Sequence, residues 1–163
     1  MKNSFNSFNS CSKKNTPCSK KNNSVVRKIN PMNRGIRNNN PLNIRRAGTH
    51  WKGEVVSPIT DKQFVQFCGL EYGLRAAFCI LRTYRNKYQA VCIEDIIARW
   101  APPSENDTAA YIRTVCKLTG FGGKERLTED KWPQLLQAMA VVESGLKLSD
   151  EIINKGYELY KNQ

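Results

Sequence analysis

The chain has 163 residues, 40% hydrophobic and 25% charged, enough to bury a core as one domain of ordinary size. Its 26 Lys and Arg against 14 Asp and Glu give a net charge of +12, which favours a polyanionic partner: nucleic acid, a membrane surface or an acidic cell-wall polymer. No apolar run approaches the ~20 residues of a membrane span, and the first residues lack the apolar stretch of a secretory signal, so neither a transmembrane nor a classically secreted protein is expected.

Residues 1–33 carry Lys2, Lys13, Lys14, Lys20, Lys21, Arg27 and Lys28 and no acid, which is +7 of the +12 and leaves +5 for residues 34–163. Phe5-Asn6-Ser7 repeats as Phe8-Asn9-Ser10, followed by Ser, Lys and Asn tracts. With so few apolar residues to offset ordering entropy, the sequence predicts a disordered basic arm over 1–33 and a single domain over 34–163. Residues 34–50, rich in Asn, Arg and Gly, read as an irregular segment. The β-prone runs 51–56 and 64–67 read as a small hairpin. Over 71–88, Leu74, Ala77, Phe78, Leu81, Tyr84 and Tyr88 have helical spacing, with Arg75, Arg82 and Arg85 expected to turn away from that face. A short helix over 93–100 stops at Pro102-Pro103. Ser104 and Asp107 form a capping pattern before a helix that Gly120 ends, a helix over 128–142 closes at Gly145, and 149–160 is a final amphipathic helix. The expectation is a mainly α (α+β) domain with one small β-hairpin.

Cys11 and Cys18 lie in the arm, and Cys68, Cys79, Cys92 and Cys116 in the body, with no C-x-x-C among them. The single histidine, His50, has no metal-ligand neighbour. Reduced thiols are expected, with no metal and no cofactor. One histidine also argues against Cys–His catalysis and against the usual zinc peptidase sites.

Three stretches carry chemistry. RGIRNNNPLNIR at 34–45 concentrates amides that hold tight turns and also suit hydroxyl- and acetamido-rich sugars, because each amide donates and accepts. Both readings stay open on chemistry alone. In MAVVESG at 139–145, Glu143 sits beside an apolar face and in the last turn of its helix. Low-dielectric surroundings and the negative end of the helix both disfavour its ionisation. A carboxylic acid kept protonated near neutral pH is what a glycosidase uses to protonate a leaving oxygen. On position alone, an exposed Glu beside a glycine cap is the simpler reading. In WAPPSENDTAAY at 100–111, helix stop, turn and cap explain Pro102, Pro103 and Ser104. The same reading extends to Asp107, but it does not explain why Glu105, Asn106, Asp107 and Thr108 cluster, nor Tyr111 one turn later, whose hydroxyl can donate to a carboxyl group.

These stretches, with W-x-G at 51–53 and G-x-R-A at 73–76, resemble a family of phage and prophage virion-associated, lysozyme-like proteins, over roughly residues 34–160. A more distant similarity is to bacterial glucosaminidases of the lysozyme superfamily. There a helix ending in E-S-G carries the catalytic acid, followed by N-N-L-F-G-I-K and a W-x-G hairpin. This chain has NNPLNIR at 39–45 and Trp51-Lys-Gly53, but its E-S-G comes at the C-terminal end, at 143–145. Lytic transglycosylases have an E-T-x-x-Y-V stretch whose Tyr meets the catalytic Glu, and DTAAYI at 107–112 looks similar.

The resemblance implies a lysozyme-like fold in circularly permuted order, with the Glu143 helix docked against the Asn-rich turn. Glu143 would be the general acid and Tyr111 its hydrogen-bond partner. Asn38, Asn39, Asn40, Asn43, Trp51, Glu105, Asn106, Asp107 and Thr108 would hold the glycan. The implied activity is cleavage of the peptidoglycan glycan strand, as muramidase, glucosaminidase or lytic transglycosylase. A second carboxylate would stand about 6.5–9.5 Å from the acid in an inverting hydrolase and about 5–5.5 Å in a retaining one. Glu54, Asp61, Glu105 and Asp107 are the candidates, whereas a lytic transglycosylase works with one Glu because the substrate supplies its own nucleophile. Peptidoglycan is the expected partner, with other virion proteins beside it. The protein would be made in the cytoplasm and brought to the wall by a virion or a lysis event. A rival is a non-catalytic virion or mobile-element protein that binds the wall. A nucleic-acid binder working through the arm ranks third, since the body offers no nucleic-acid module.

Overall fold

The computed structural model describes residues 33–162; the arm expected over 1–33 lies, apart from Asn33, outside the described residues. The domain is mainly helical, built from α1 (Arg34–Arg37), α2 (Leu70–Tyr88), α3 (Ile93–Trp100), α4 (Thr108–Thr119), α5 (Trp132–Ser144) and α6 (Asp150–Lys161), with a 3-10 turn at Glu129–Lys131.

Helix α2 is the central helix. Leu74, Ala77, Phe78 and Leu81 recur at helical spacing and are buried. Helix α6 runs along α2. Gly156 permits this, since a Cβ there would meet Leu74 Cβ and the Glu71 carbonyl. Phe78 then stacks on Tyr160 at 5.6 Å. Arg75, expected to turn away, is 4% exposed and sits on the buried side of α2. The helix is covered on more than one face, so periodicity alone does not show which charged residues lie outside.

Helix ends follow local chemistry. Asp107 caps α4 by accepting from Ala110 N at 2.9 Å, and so takes the role expected of Ser104. Pro133 opens α5 and Gly145 ends it at φ 68°, the left-handed region that favours glycine. Ser149 caps α6.

The expected β-hairpin is not formed. Among the described residues there are only two isolated antiparallel bridges, Arg45 with Phe64 and Glu54 with Phe67. The backbone of 63–68 divides its pairing between two neighbours. Val65 N donates to Ile44 O, Arg46 N to Gln63 O and Phe67 N to Asn38 O on one side, while Cys68 N donates to Gly53 O and Val55 N to Gln66 O on the other. Side-chain amides complete what a ladder would supply: Asn40 Nδ2 donates to both Ile44 O and Val65 O, and Asn40 Oδ1 accepts from Ile44 N. The irregular segment also begins with a helical turn, α1, capped by Asn33 Oδ1 accepting from Ile36 N at 3.2 Å.

Candidate functional site

Glu143 lies in the last turn of α5, half-buried, with its carboxyl gripped by three donors from three other parts of the chain. Trp100 Nε1 donates to Oε1 at 3.2 Å from the end of α3. Tyr111 Oη donates to the same Oε1 at 3.1 Å from α4. Asn43 Nδ2 donates to Oε2 at 3.1 Å from the Asn-rich loop, and also reaches the Glu143 carbonyl at 3.3 Å. Two of the last carbonyls of α5 are thus bonded from outside the helix, that of Glu143 by Asn43 and that of Ser144 by Nδ2 of Asn33, the N-cap of α1. Burial pushes the Glu143 pKa up, and the three donors oppose but do not cancel that push. Burial and the Glu143 charge hold the Tyr111 pKa well above its ordinary value, so it remains a donor.

The segment 100–111 places two of these donors. Trp100 stands at one end and Tyr111 at the other, and the residues between fix the turn. Glu105 N donates to Pro102 O at 3.0 Å, Asn106 Nδ2 to the same carbonyl at 3.3 Å, and Thr108 Oγ1 to Ala101 O. Asp107 caps α4 so that Tyr111, one turn on, faces Glu143. Asn106, Asp107 and Thr108, expected to hold glycan, therefore have positions inside the protein's own turn. Glu105 is exposed.

The Asn-rich loop is arranged in the same way. Asn38, buried, donates to Asp61 Oδ2 at 2.7 Å; Asn39 donates to Phe67 O at 2.9 Å; Asn40, fully buried, bridges Ile44 and Val65. Of the four amides proposed as sugar contacts, these three brace the loop, and Asn43 alone reaches Glu143. Trp51 is 8% exposed and lies in the core, not open to a ligand.

Two of the expected second carboxylates are also committed. Asp61, 5% exposed, accepts from Arg34 Nε at 2.6 Å and Nη2 at 2.8 Å, from Asn38, and from the Gln63 and Phe64 backbone at 3.0 Å each. Burial alone would raise its pKa, but these hydrogen bonds outweigh that and hold it well below the usual carboxylate range. The Glu54 side chain, 4% exposed, pairs with Arg46 Nη1 at 2.7 Å and accepts from Trp51 N at 3.0 Å.

Trp100 was legible as a core residue on the apolar face Ile93, Ile96, Ile97, Trp100, but not as part of the site. The available signal was its indole N–H, since a buried Trp needs an acceptor. Among the described residues, no group of three or more His, Cys, Asp and Glu could hold a metal ion, Cys68, Cys79, Cys92 and Cys116 are free thiols, and no helix is long and apolar enough to cross a membrane.

No protein-family model matches the chain. Among characterised proteins, it is similar to Protein P5 of Pseudoalteromonas phage PM2, 42% identical over 134 residues, which covers 80% of this chain and 83% of that protein.

Proposed function

The chain belongs to the family of Protein P5 of Pseudoalteromonas phage PM2, and from that premise we propose that it is a phage-type enzyme that cleaves the glycan strand of peptidoglycan, with Glu143 as general acid. The observation that carries this reading is the Glu143 carboxyl itself: half-buried, raised in pKa and held by Asn43, Trp100 and Tyr111. A surface glutamate beside a glycine cap would need none of this. A protonated carboxyl with fixed oxygens is suited to giving a proton to a departing glycosidic oxygen.

Asp61 and Glu54 are committed to Arg34 and Arg46, so neither is free to act as a base or nucleophile. Asp107 is committed to the α4 cap. Of the four candidates this leaves Glu105, exposed on the 100–111 turn, and so favours a one-carboxylate mechanism, in which a hydroxyl of the substrate captures the reacting carbon, over a two-carboxylate hydrolysis through Glu105. Incubating purified peptidoglycan with the protein and analysing the soluble products by mass spectrometry tests the reading. Anhydro-sugar ends are expected, and reducing ends would return the search to a second carboxylate. The alternative is a phage protein that binds the wall without cutting it, which kinship with a phage protein accommodates equally. It predicts wall binding with no released fragments.

A further inference from the structure

The two oxygens of the Glu143 carboxyl are not equivalent. Each carboxylate oxygen offers two in-plane lone pairs. Both on Oε1 are engaged, by Trp100 Nε1 at 3.2 Å and Tyr111 Oη at 3.1 Å. An indole N–H is a donor with no lone pair to give back, so Trp100 holds its Oε1 lone pair whatever the protonation state, and a proton on Oε1 would have to displace the Tyr111 donation, whereas Oε2 has a vacant lone pair. Oε2 receives one donor, Asn43 Nδ2 at 3.1 Å, and that amide is tied in orientation by its second bond to the Glu143 carbonyl at 3.3 Å.

We infer that Trp100 is a positioning residue for the Glu143 proton: with Tyr111 on the other Oε1 lone pair, its fixed donation leaves the vacant lone pair of Oε2, on the Asn43 side of the carboxyl, as the place of the transferable proton. This deepens the proposed reading, on which it rests for its catalytic meaning. In the reaction, the Oε2–H bond breaks as its proton passes to the bridging glycosidic oxygen. The C1–O bond breaks with its electron pair going to that oxygen. A hydroxyl of the same sugar unit bonds C1 and returns its proton to Oε2, so the acid is regenerated. Tyr111, the titratable side chain hydrogen-bonded to Glu143, stays protonated and does not compete for the proton.

The test follows the Trp100 indole N–H by 1H–15N NMR in the full chain, against pH, in wild type and Glu143→Gln. In wild type the indole signal is expected to move as Glu143 titrates, yet to stay hydrogen-bonded and protected from exchange once Glu143 is protonated, because the proton enters on Oε2. In Glu143→Gln the indole signal is expected to be insensitive to pH, because the amide does not titrate. A pH-independent indole in wild type, or one that exchanges freely once Glu143 is protonated, would overturn the inference. With turnover as readout, Trp100→Phe is expected to lower kcat about tenfold at unchanged KM and to move the alkaline limb to higher pH. A fall in kcat with an unmoved limb would reduce Trp100 to packing. If wild type releases no fragments, the proposed function fails, while the indole signal still decides where the proton sits.

Discussion

Asn43 and Glu143, 100 residues apart in the chain, meet at 3.1 Å. That contact joins the Asn-rich loop to the end of α5. Asn33 makes a second tie between the same two parts through the Ser144 carbonyl. Glu143 therefore sits at a junction of α3, α4, α5 and the loop, and each part supplies one side of its surroundings.

Tyr111→Phe removes a donor that favours the ionised Glu143 while leaving the ring in place. Loss of one hydrogen bond to a charged group costs roughly 1.5–3 kcal/mol, so kcat is expected to fall on the order of tenfold or more. The Glu143 pKa should rise further, which moves the alkaline limb of the pH–rate profile to higher pH. A profile measured on both proteins checks the direction, and a shift to lower pH would contradict the assignment of Tyr111 as donor.

The raised pKa of Glu143 also has a sign for stability. The folded state binds this proton more tightly than the unfolded chain, so the group is neutral to stability below the ordinary Glu range and destabilising as pH rises through the folded pKa. Urea unfolding at a series of pH values should show wild type losing stability relative to Glu143→Gln as pH rises from acid to neutral. Parallel curves would mean that the carboxyl is solvated.

Asp61 gives the opposite sign. Its pKa is lowered in the fold, so its contribution is fully present above the ordinary Asp range and is lost as pH falls through the folded pKa. Asp61→Ala leaves the half-exposed Arg34 and the buried Asn38 amide without their shared acceptor, and stranding a buried donor costs roughly 1–3 kcal/mol. Chemical denaturation at neutral pH measures the loss. A change below 1 kcal/mol, the ~0–1 kcal/mol of a surface salt bridge, would show that the Arg34–Asp61 clasp is solvated.

Gly73 sets how closely α2 approaches the Asn-rich loop. A Cβ there would lie under 3.0 Å from the Asn39 carbonyl oxygen, which is backbone and cannot swing away. Gly73→Ala should destabilise by roughly 1–3 kcal/mol through overpacking. Because it displaces the loop bearing Asn43, it should also lower turnover more than its effect on folding explains. Full activity at a reduced melting temperature would separate the loop from the site.

Part of this was legible in the sequence. Apolar spacing gave the helices, and the meeting of Glu143, Tyr111 and the Asn-rich loop was expected from their motifs. Asn38, Asn39 and Asn40 were read as sugar contacts because an amide bonds a sugar hydroxyl and a backbone carbonyl with equal ease; only the fold shows that they face inward. The hairpin was expected from β-prone residues, but 63–68 shares its hydrogen bonds between two segments and the Asn40 side chain supplies others. Trp100 was hidden by its own helix, where an aromatic at core spacing gives no sign of what its N–H will meet.

The most direct test is turnover of purified peptidoglycan by wild type and Glu143→Gln, with wall binding measured in parallel. Wild type should release soluble glycan fragments, and Glu143→Gln should bind the wall and release at least a hundredfold less, within the ~10²–10⁴-fold range of general acid catalysis. Equal release by both proteins would contradict Glu143 as the acid, and wall binding by both with no release would contradict glycan cleavage itself.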